Sequence, residues 1–354
     1  MEVKKLKTEI LKISSLETDR DKIKFAASIL KKGGLVAFPT ETVYGLGANA
    51  LDSSAVGNIF KAKSRPSDNP LIAHVSNMDM VYKLAKNVPE IAKQFMHNFW
   101  PGPLTLVMDK TEIVPQIVTA GLDTVGIRMP SHPVALALIE EAGVPVAAPS
   151  ANTSGKPSPT TAEHVISDLS GKVDVIIDSG NADIGLESTV LDVTSEPPMI
   201  LRPGGITFEQ LSAVAGNIVI DKAVMDGQSV QKPKAPGMKY RHYAPNAKLI
   251  IIKGSLDKTV EKIRELSDSY KQKGLKVGIL ATKQTKDMYA GTDVFSLGDR
   301  NNPSEIAATF FYALREFDKR NVDIILAEAI ERTGIGFAVM NRMMKAAGND
   351  IIIV

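Results

Sequence analysis

The chain has 354 residues, 44% apolar and 23% charged, with no cysteine and a formal net charge of +2. That length accommodates two domains with separate cores, and the missing cysteine removes disulfides, thiolate catalysis and cysteine-bound zinc from consideration. Charge is near balance on both sides of Pro245, 25 basic against 26 acidic residues up to it and 17 against 14 beyond, which argues against a generic binder of nucleic-acid backbone.

The N-terminus, MEVKKLKTEIL, lacks the apolar stretch of a signal peptide, and no apolar run approaches membrane-spanning length. A cytoplasmic protein without membrane contact is expected. Periodicity predicts a first helix over 21–32, with Phe25, Ile29 and Leu30 on one face and a stop at Gly33. Leu35–Phe38 reads as a short buried strand. It opens into Thr40, Glu41, Thr42 and Tyr44, where Gly45 and Gly47 are expected to let the backbone come close to another group.

A helix over 53–62 follows, with Val56, Ile59 and Phe60 at helical spacing. Lys61, Lys63 and Arg65 close it before Pro66, beside Ser67, Asp68 and Asn69, a set suited to an anion with several oxygens. Cations at a helix C-terminus also complement the macrodipole, and that plainer reading stands for any one of them. Strand 71–75 carries His74 inside it. Helices are expected over 78–86 and 89–98, then a Trp-Pro-Gly-Pro turn at 100–103, strands over 104–108 and 125–130, and a helix over 133–142.

Strand 144–149 ends in a second polar exit, Ser150-Ala151-Asn152-Thr153-Ser154-Gly155. Strands over 173–178, 189–194 and 199–201 complete the first domain, the last one leading into Arg202-Pro203-Gly204-Gly205. From about Ile218 the periodicity fades, and residues 218–245 read as a linker containing PGMKYRHYAP. Beyond it the pattern is strand 249–252, helix 257–272, strand 277–280, helix 304–318, strand 324–327 and helix 337–346. Such alternation implies a small, mainly parallel α/β domain.

No GxxxxGK[ST], full dinucleotide fingerprint, HExxH or GxSxG occurs. What remains is a set of hydroxyls, amides and scattered cations, fit for electrostatic stabilisation of phosphoryl or adenylyl transfer without a covalent intermediate.

PTETVYGLG, followed by KxKxRP, N-PL and His74, closely resembles the YrdC/Sua5 family, the threonylcarbamoyl-AMP synthases; GIGFAVMNRMMKAA near the C-terminus is similar to that of its two-domain members. The resemblance implies a twisted, open, mixed-sheet α/β catalytic domain over 1–217, a linker acting as a lid over 218–245, and a smaller Rossmann-like domain over 246–354. It implies synthesis of L-threonylcarbamoyladenylate from L-threonine, bicarbonate or CO2, and ATP with Mg2+. Pyrophosphate is released, and a separate transferase carries the product to tRNA, with transient tRNA contact left open.

Matched position by position, Lys63 and Arg65 would be the catalytic cations. Arg65, Asn69, Thr124, Asn152, Thr160, Arg202 and Tyr243 would contact ATP. Thr42, His74, Arg128, Ser150 and Ser188 would contact threonine, with the planar fork of Arg128 on its carboxylate. Arg128 could also be an ordinary buried ion pair, for instance with Glu187, and Glu41 receives no role. Two rivals remain at this stage. One is an RNA-binding module whose groove is lined by Lys61, Lys63, Arg65, Arg128 and Arg202. The other is a regulator built on the C-terminal domain.

Overall fold

The structure is a computed structural model that describes residues 6–226, 233–236, 242–289 and 291–354. They form two compact units: the described residues up to Ser154 and from Ser158 to Pro236 make the first, and Gly155–Pro157 with the residues from His242 onward make the second.

The first unit is built on a mixed sheet whose strands are β1 (Glu9–Lys12), β2 (Val36–Phe38), β3 (Gly45–Asn49), β4 (Ile72–His74), β5 (Leu104–Asp109), β6 (Thr124–Arg128), β7 (Val146–Ala147), β8 (Val175–Asp178), β9 (Thr189–Asp192), β10 (Met199–Arg202) and β11 (Val219–Ile220). Their spatial order is β1-β8-β2-β3-β7-β4-β6-β5-β9-β10-β11. β1 lies at one edge, parallel to β8, with Glu9 opposite Val175. β4 and β6 run parallel and place His74 opposite Arg128, so the two side chains share a sheet face. The strand exits that read as polar in sequence therefore come from neighbouring strands, because the crossovers interleave distant segments.

Helix Ser53–Lys63 shows how local rules aim a functional side chain. Asp52 caps it by accepting from Ser54 N and Ala55 N at 2.8 and 3.1 Å, and Ser64 ends it in the left-handed region at φ 53°. Ile59 and Lys63 stand four residues apart on the face turned inward, so Lys63 is buried while Lys61 is exposed. The solvated-cation reading thus holds for Lys61 and fails for Lys63.

Gly45 and Gly47 allow a close approach inside the core. They lie in β3, which pairs with β2 and β7. A Cβ on Gly47 would stand 2.7 Å from Val146 Cγ1 and 2.8 Å from Phe38 Cε1, so the close approach is to a core ring. Other departures are short elements: β1, β11, and the helices Gln116–Thr119, Ala162–Leu169, Phe208–Ala215 and Lys222–Asp226. The last of these, with β11, occupies the start of the expected linker. Strand 144–149 narrows to the two residues of β7, and Pro89 precedes its helix instead of opening the first turn.

The second unit holds β12 (Lys248–Lys253), β13 (Val277–Ala281), β14 (Asp293–Ser296), β15 (Ile324–Glu328) and β16 (Ile351–Ile353). All pairings are parallel, in the order β14-β13-β15-β12-β16. Helix Leu256–Gln272 packs Val260 and Ile263 against Ile250, Ile252, Val277 and Ile279 on one face. Helices Pro303–Arg320 and Ile335–Ala347 pack on each other, and Phe317 lies against Gly278, a position turned to the other face by the pleat. The parallel α/β expectation for this part is met.

Candidate active site

The site grows from the exit of β2. Thr40 Oγ1 donates to Val43 O at 2.7 Å and accepts from Val43 N and Thr42 N, a hydroxyl-stabilised turn. With its proton so committed, Thr40 must accept in its 2.8 Å contact with Thr42 Oγ1. Thr42 Oγ1 also accepts from Arg128 Nη1 at 2.9 Å. Its donor is spent and one lone pair remains, so it meets a ligand only as an acceptor.

Arg128, 3% exposed, donates from Nε to Gly102 O at 3.2 Å, and its Nη2 lies 2.6 Å from Glu41 Oε1. Its ion-pair partner is therefore Glu41, not Glu187, whose carboxylate takes the Ser158 hydroxyl at 2.5 Å. Burial works against ionising Glu41. The Arg128 charge and hydrogen bond, with the N–H groups of Glu41 and Ser131, outweigh it and hold the carboxyl below its ordinary range. Two of the five guanidinium N–H groups are committed to Gly102 O and Thr42 Oγ1, and Nη2 pairs in charge with Glu41, leaving donors for a substrate carboxylate.

Across the sheet, Lys63 reaches beneath the exit of β7. Its ammonium, 1% exposed, donates to Ser150 O and Asn152 O and stands 3.4 Å from Asn152 Oδ1. Lys63 thereby holds the turn that presents Ser150 and Asn152. Ser150 Oγ donates to Asn152 Oδ1 at 2.5 Å, which makes it a second hydroxyl able to act on a ligand only as acceptor.

A third cluster forms where β5, β9 and β10 adjoin. Arg202 donates from Nε to Ser188 O at 3.0 Å and from Nη2 to Ser188 Oγ at 3.1 Å, while Ser188 Oγ lies 2.8 Å from Thr105 Oγ1. Arg202 Nη1 donates to Pro236 O at 3.3 Å. Residues 233–236 thereby return to the first unit: Ala235 is fully buried among Ile72, Val107, Val190 and Leu201, and Lys234 Nζ reaches Asp192 Oδ2 at 3.0 Å. A narrow cleft lined by Thr105, Thr119, Thr124, Gly126 and Pro236 lies alongside. Gly204 permits this corner, because a Cβ there would stand 2.3 Å from Thr189 N and 2.4 Å from Glu187 O. Nothing in the sequence marked Lys234 and Ala235; a lone apolar residue between prolines carries no periodicity.

Several expected ligand residues carry buried polar atoms with no hydrogen-bond partner: both amide atoms of Asn69, Nδ1 of His74 and Oγ1 of Thr160. His74 is drawn down to about 3, by burial first and then by the Arg128 charge, so its ring is neutral. Arg65 is half-buried and reaches Asn69 O and Pro70 O at 3.4 Å. Tyr243 belongs to the second unit, its ring 5.1 Å from that of Phe311 and 5.4 Å from the Arg342 guanidinium. Gly237, Lys239, Tyr240 and Arg241 of the expected lid lie outside the described residues. An RNA groove does not fit this arrangement: Lys63, Arg128 and Arg202 are at most 5% exposed and directed at protein oxygens. Among the described residues no helix is long and apolar enough to cross a membrane.

Residues 28–204 match the Sua5/YciO/YrdC family, whose description reads "telomere recombination", and residues 206–348 match the family described as threonylcarbamoyl-AMP synthase, C-terminal domain. A threonylcarbamoyl-AMP synthase of Pyrococcus abyssi is 54% identical over 331 residues, covering 94% of this chain and 95% of its own length; that of Bacillus subtilis is 51% identical over 338 residues, covering 95% and 96%. The crystal structure of P. abyssi Sua5 complexed with L-threonine superposes with a TM-score of 0.92 at 52% identity, over 98% of this chain and 99% of that one. Matches of this extent, over both units and the site between β2 and β10, make the chain a member of the Sua5-type threonylcarbamoyl-AMP synthase family.

Proposed function

We infer that the chain makes L-threonylcarbamoyladenylate from L-threonine, bicarbonate or CO2, and ATP, releasing pyrophosphate, as the first step towards threonylcarbamoyladenosine in tRNA. The observation that carries this reading is the set of buried, unpartnered polar atoms on Asn69, His74 and Thr160, together with hydroxyls on Thr42 and Ser150 that can only accept. Leaving such groups unpaired costs roughly 1–3 kcal/mol each, a cost that a polar ligand removes. Threonine suits the acceptor hydroxyls with its own hydroxyl and nitrogen donors, and the free donors of Arg128 suit its carboxylate.

The threonine nitrogen bonds to the carbon of CO2 and gives up a proton, or to that of bicarbonate with loss of water, and either way a carbamate results. A carbamate oxygen then bonds to the α-phosphorus while the bond from that phosphorus to the bridging oxygen breaks, and pyrophosphate leaves. Lys63, Arg65 and Arg202 offer fixed positive charge to the phosphoryl oxygens, and Lys63 also keeps Ser150 and Asn152 in place. Thr124 lines the cleft beside Pro236 and would contact the nucleotide, and Ser188, hydrogen-bonded to Arg202, would contact threonine. Among the described residues no cluster of His, Asp or Glu is placed to hold a metal ion. Mg2+ would enter with ATP, where it neutralises triphosphate charge. A separate transferase would take the adenylate to tRNA in the cytoplasm.

The purified protein is expected to release pyrophosphate from ATP only when threonine and bicarbonate are both present. Release at the same rate from ATP alone would overturn the reading.

A further inference from the structure

The turn that carries Ser150, Asn152 and Thr160 is held in three places. At its start, Lys63 fixes the carbonyls of Ser150 and Asn152, Thr153 N donates to Asp168 Oδ2 at 3.1 Å, and Ser154 N to Lys63 O at 2.9 Å. At its end, Tyr44 N donates to Pro159 O and Ala182 N to Thr160 O, both at 2.9 Å. Its tip, Gly155–Pro157, belongs to the second unit. There Arg315 donates to Pro157 O from Nε at 3.1 Å and from Nη2 at 2.6 Å, and Ala244 N donates to Gly155 O at 2.9 Å.

Arg315 lies inside helix Pro303–Arg320, at a position turned to the core: it is 7% exposed, and Phe311 and Leu314 beside it are fully buried. An apolar residue would satisfy that position at lower desolvation cost. Two donors converging on one carbonyl oxygen match what the tip lacks, since proline has no N–H and presents only its acceptor. Neither end of the turn needs this contact to fold; both have their own anchors in the first unit.

We propose that Arg315 is a positioning residue for the reaction: by gripping Pro157 O it fixes the tip of the turn, and so sets where Asn152 before it and Thr160 after it stand. The roles of Ser150, Asn152 and Thr160 rest on the threonylcarbamoyladenylate reading; the clamp itself is a matter of backbone geometry.

The test uses full-length Arg315→Met and Arg315→Lys, followed by peptide-resolved hydrogen exchange and by pyrophosphate release. In Arg315→Met, exchange over 153–160 is expected to accelerate while the strands β12, β13 and β15 keep their protection. Turnover should fall by roughly tenfold to a hundredfold, the scale of an ångström-sized misplacement, and Arg315→Lys should recover part of both effects. Unchanged exchange over 153–160, or unchanged turnover, overturns the proposal. So does equal acceleration throughout the second sheet in both variants, which would make Arg315 a general packing residue. A wild-type protein that releases no pyrophosphate with threonine would instead remove the functional reading and leave the exchange result to judge the clamp alone.

Discussion

Thr42 and Ser150 illustrate how a hydrogen-bond inventory becomes substrate choice. Each hydroxyl has given its proton to a protein oxygen, Thr42 to Thr40 and Ser150 to Asn152, so each can recognise only a donor. L-Threonine brings a hydroxyl donor; L-valine, nearly the same shape, brings none. Valine is therefore expected to support pyrophosphate release far more weakly, by about 1–3 kcal/mol for each group left unpaired, and serine to fall between the two. Equal rates with valine and threonine would show that the hydroxyl is not read. His74 supplies a second residue-scale expectation. Its folded-state pKa of about 3 lies below the ordinary 6.5, so below pH 6.5 the unfolded chain binds a proton that the folded one refuses. Stability then falls as pH drops from about 6.5 towards about 3, by up to about 1.4 kcal/mol per pH unit, and this group adds no slope above that window. Urea titrations of the wild type and His74→Asn across this range should show the flatter acid limb in the variant; parallel curves would exclude His74 as the source.

Elements position these residues through contacts that a linear reading partly reveals. Helix Ser53–Lys63 was legible from its apolar spacing, and its register alone separates buried Lys63 from exposed Lys61. The motif residues were legible as a set because they stand in a recognisable order. Less legible was what each one touches. Arg128 pairs with Glu41 and Lys63 with backbone carbonyls, and both contacts depend on strand order instead of spacing along the chain. β3 was missed because glycines lower strand propensity, and tertiary packing against Phe38 overrode it. β1, β11 and β16 were missed because two to four residues carry too little pattern to register. Gly204 is where an element's position is most exposed to a small change. Gly204→Ala would drive a Cβ into the backbone of Glu187 and Thr189, displacing Ser188 and with it the Arg202 hydrogen bonds. A stability loss of about 1–3 kcal/mol and a raised KM for ATP are expected, read from a denaturant midpoint and steady-state kinetics. A variant unchanged in both would show that the 187–189 segment moves aside without consequence.

At the scale of the molecule, each unit closes its own core: the large cluster that runs from Leu11 to Ile218 in the first, and that around Ile250, Ile279 and Leu326 in the second. Two cores make all-or-none unfolding the exception, so the calorimetric enthalpy is expected to exceed the van't Hoff enthalpy in a thermal scan. A ratio of one would mean that the units unfold as a single cooperative body. The pairing of β1 with β8 has a consequence of another kind, for the nascent chain. β1 is made first, yet its partner arrives only with Val175–Asp178, after β2 to β7 have been made. At about 5–20 residues per second the segment around Ile10 and Leu11 waits on the order of ten seconds or more without a strand to join. A ribosome that stalls before Val175 therefore releases a product with an open sheet edge and an unpaired first strand, the kind of species that chaperones retain and that aggregates when they do not.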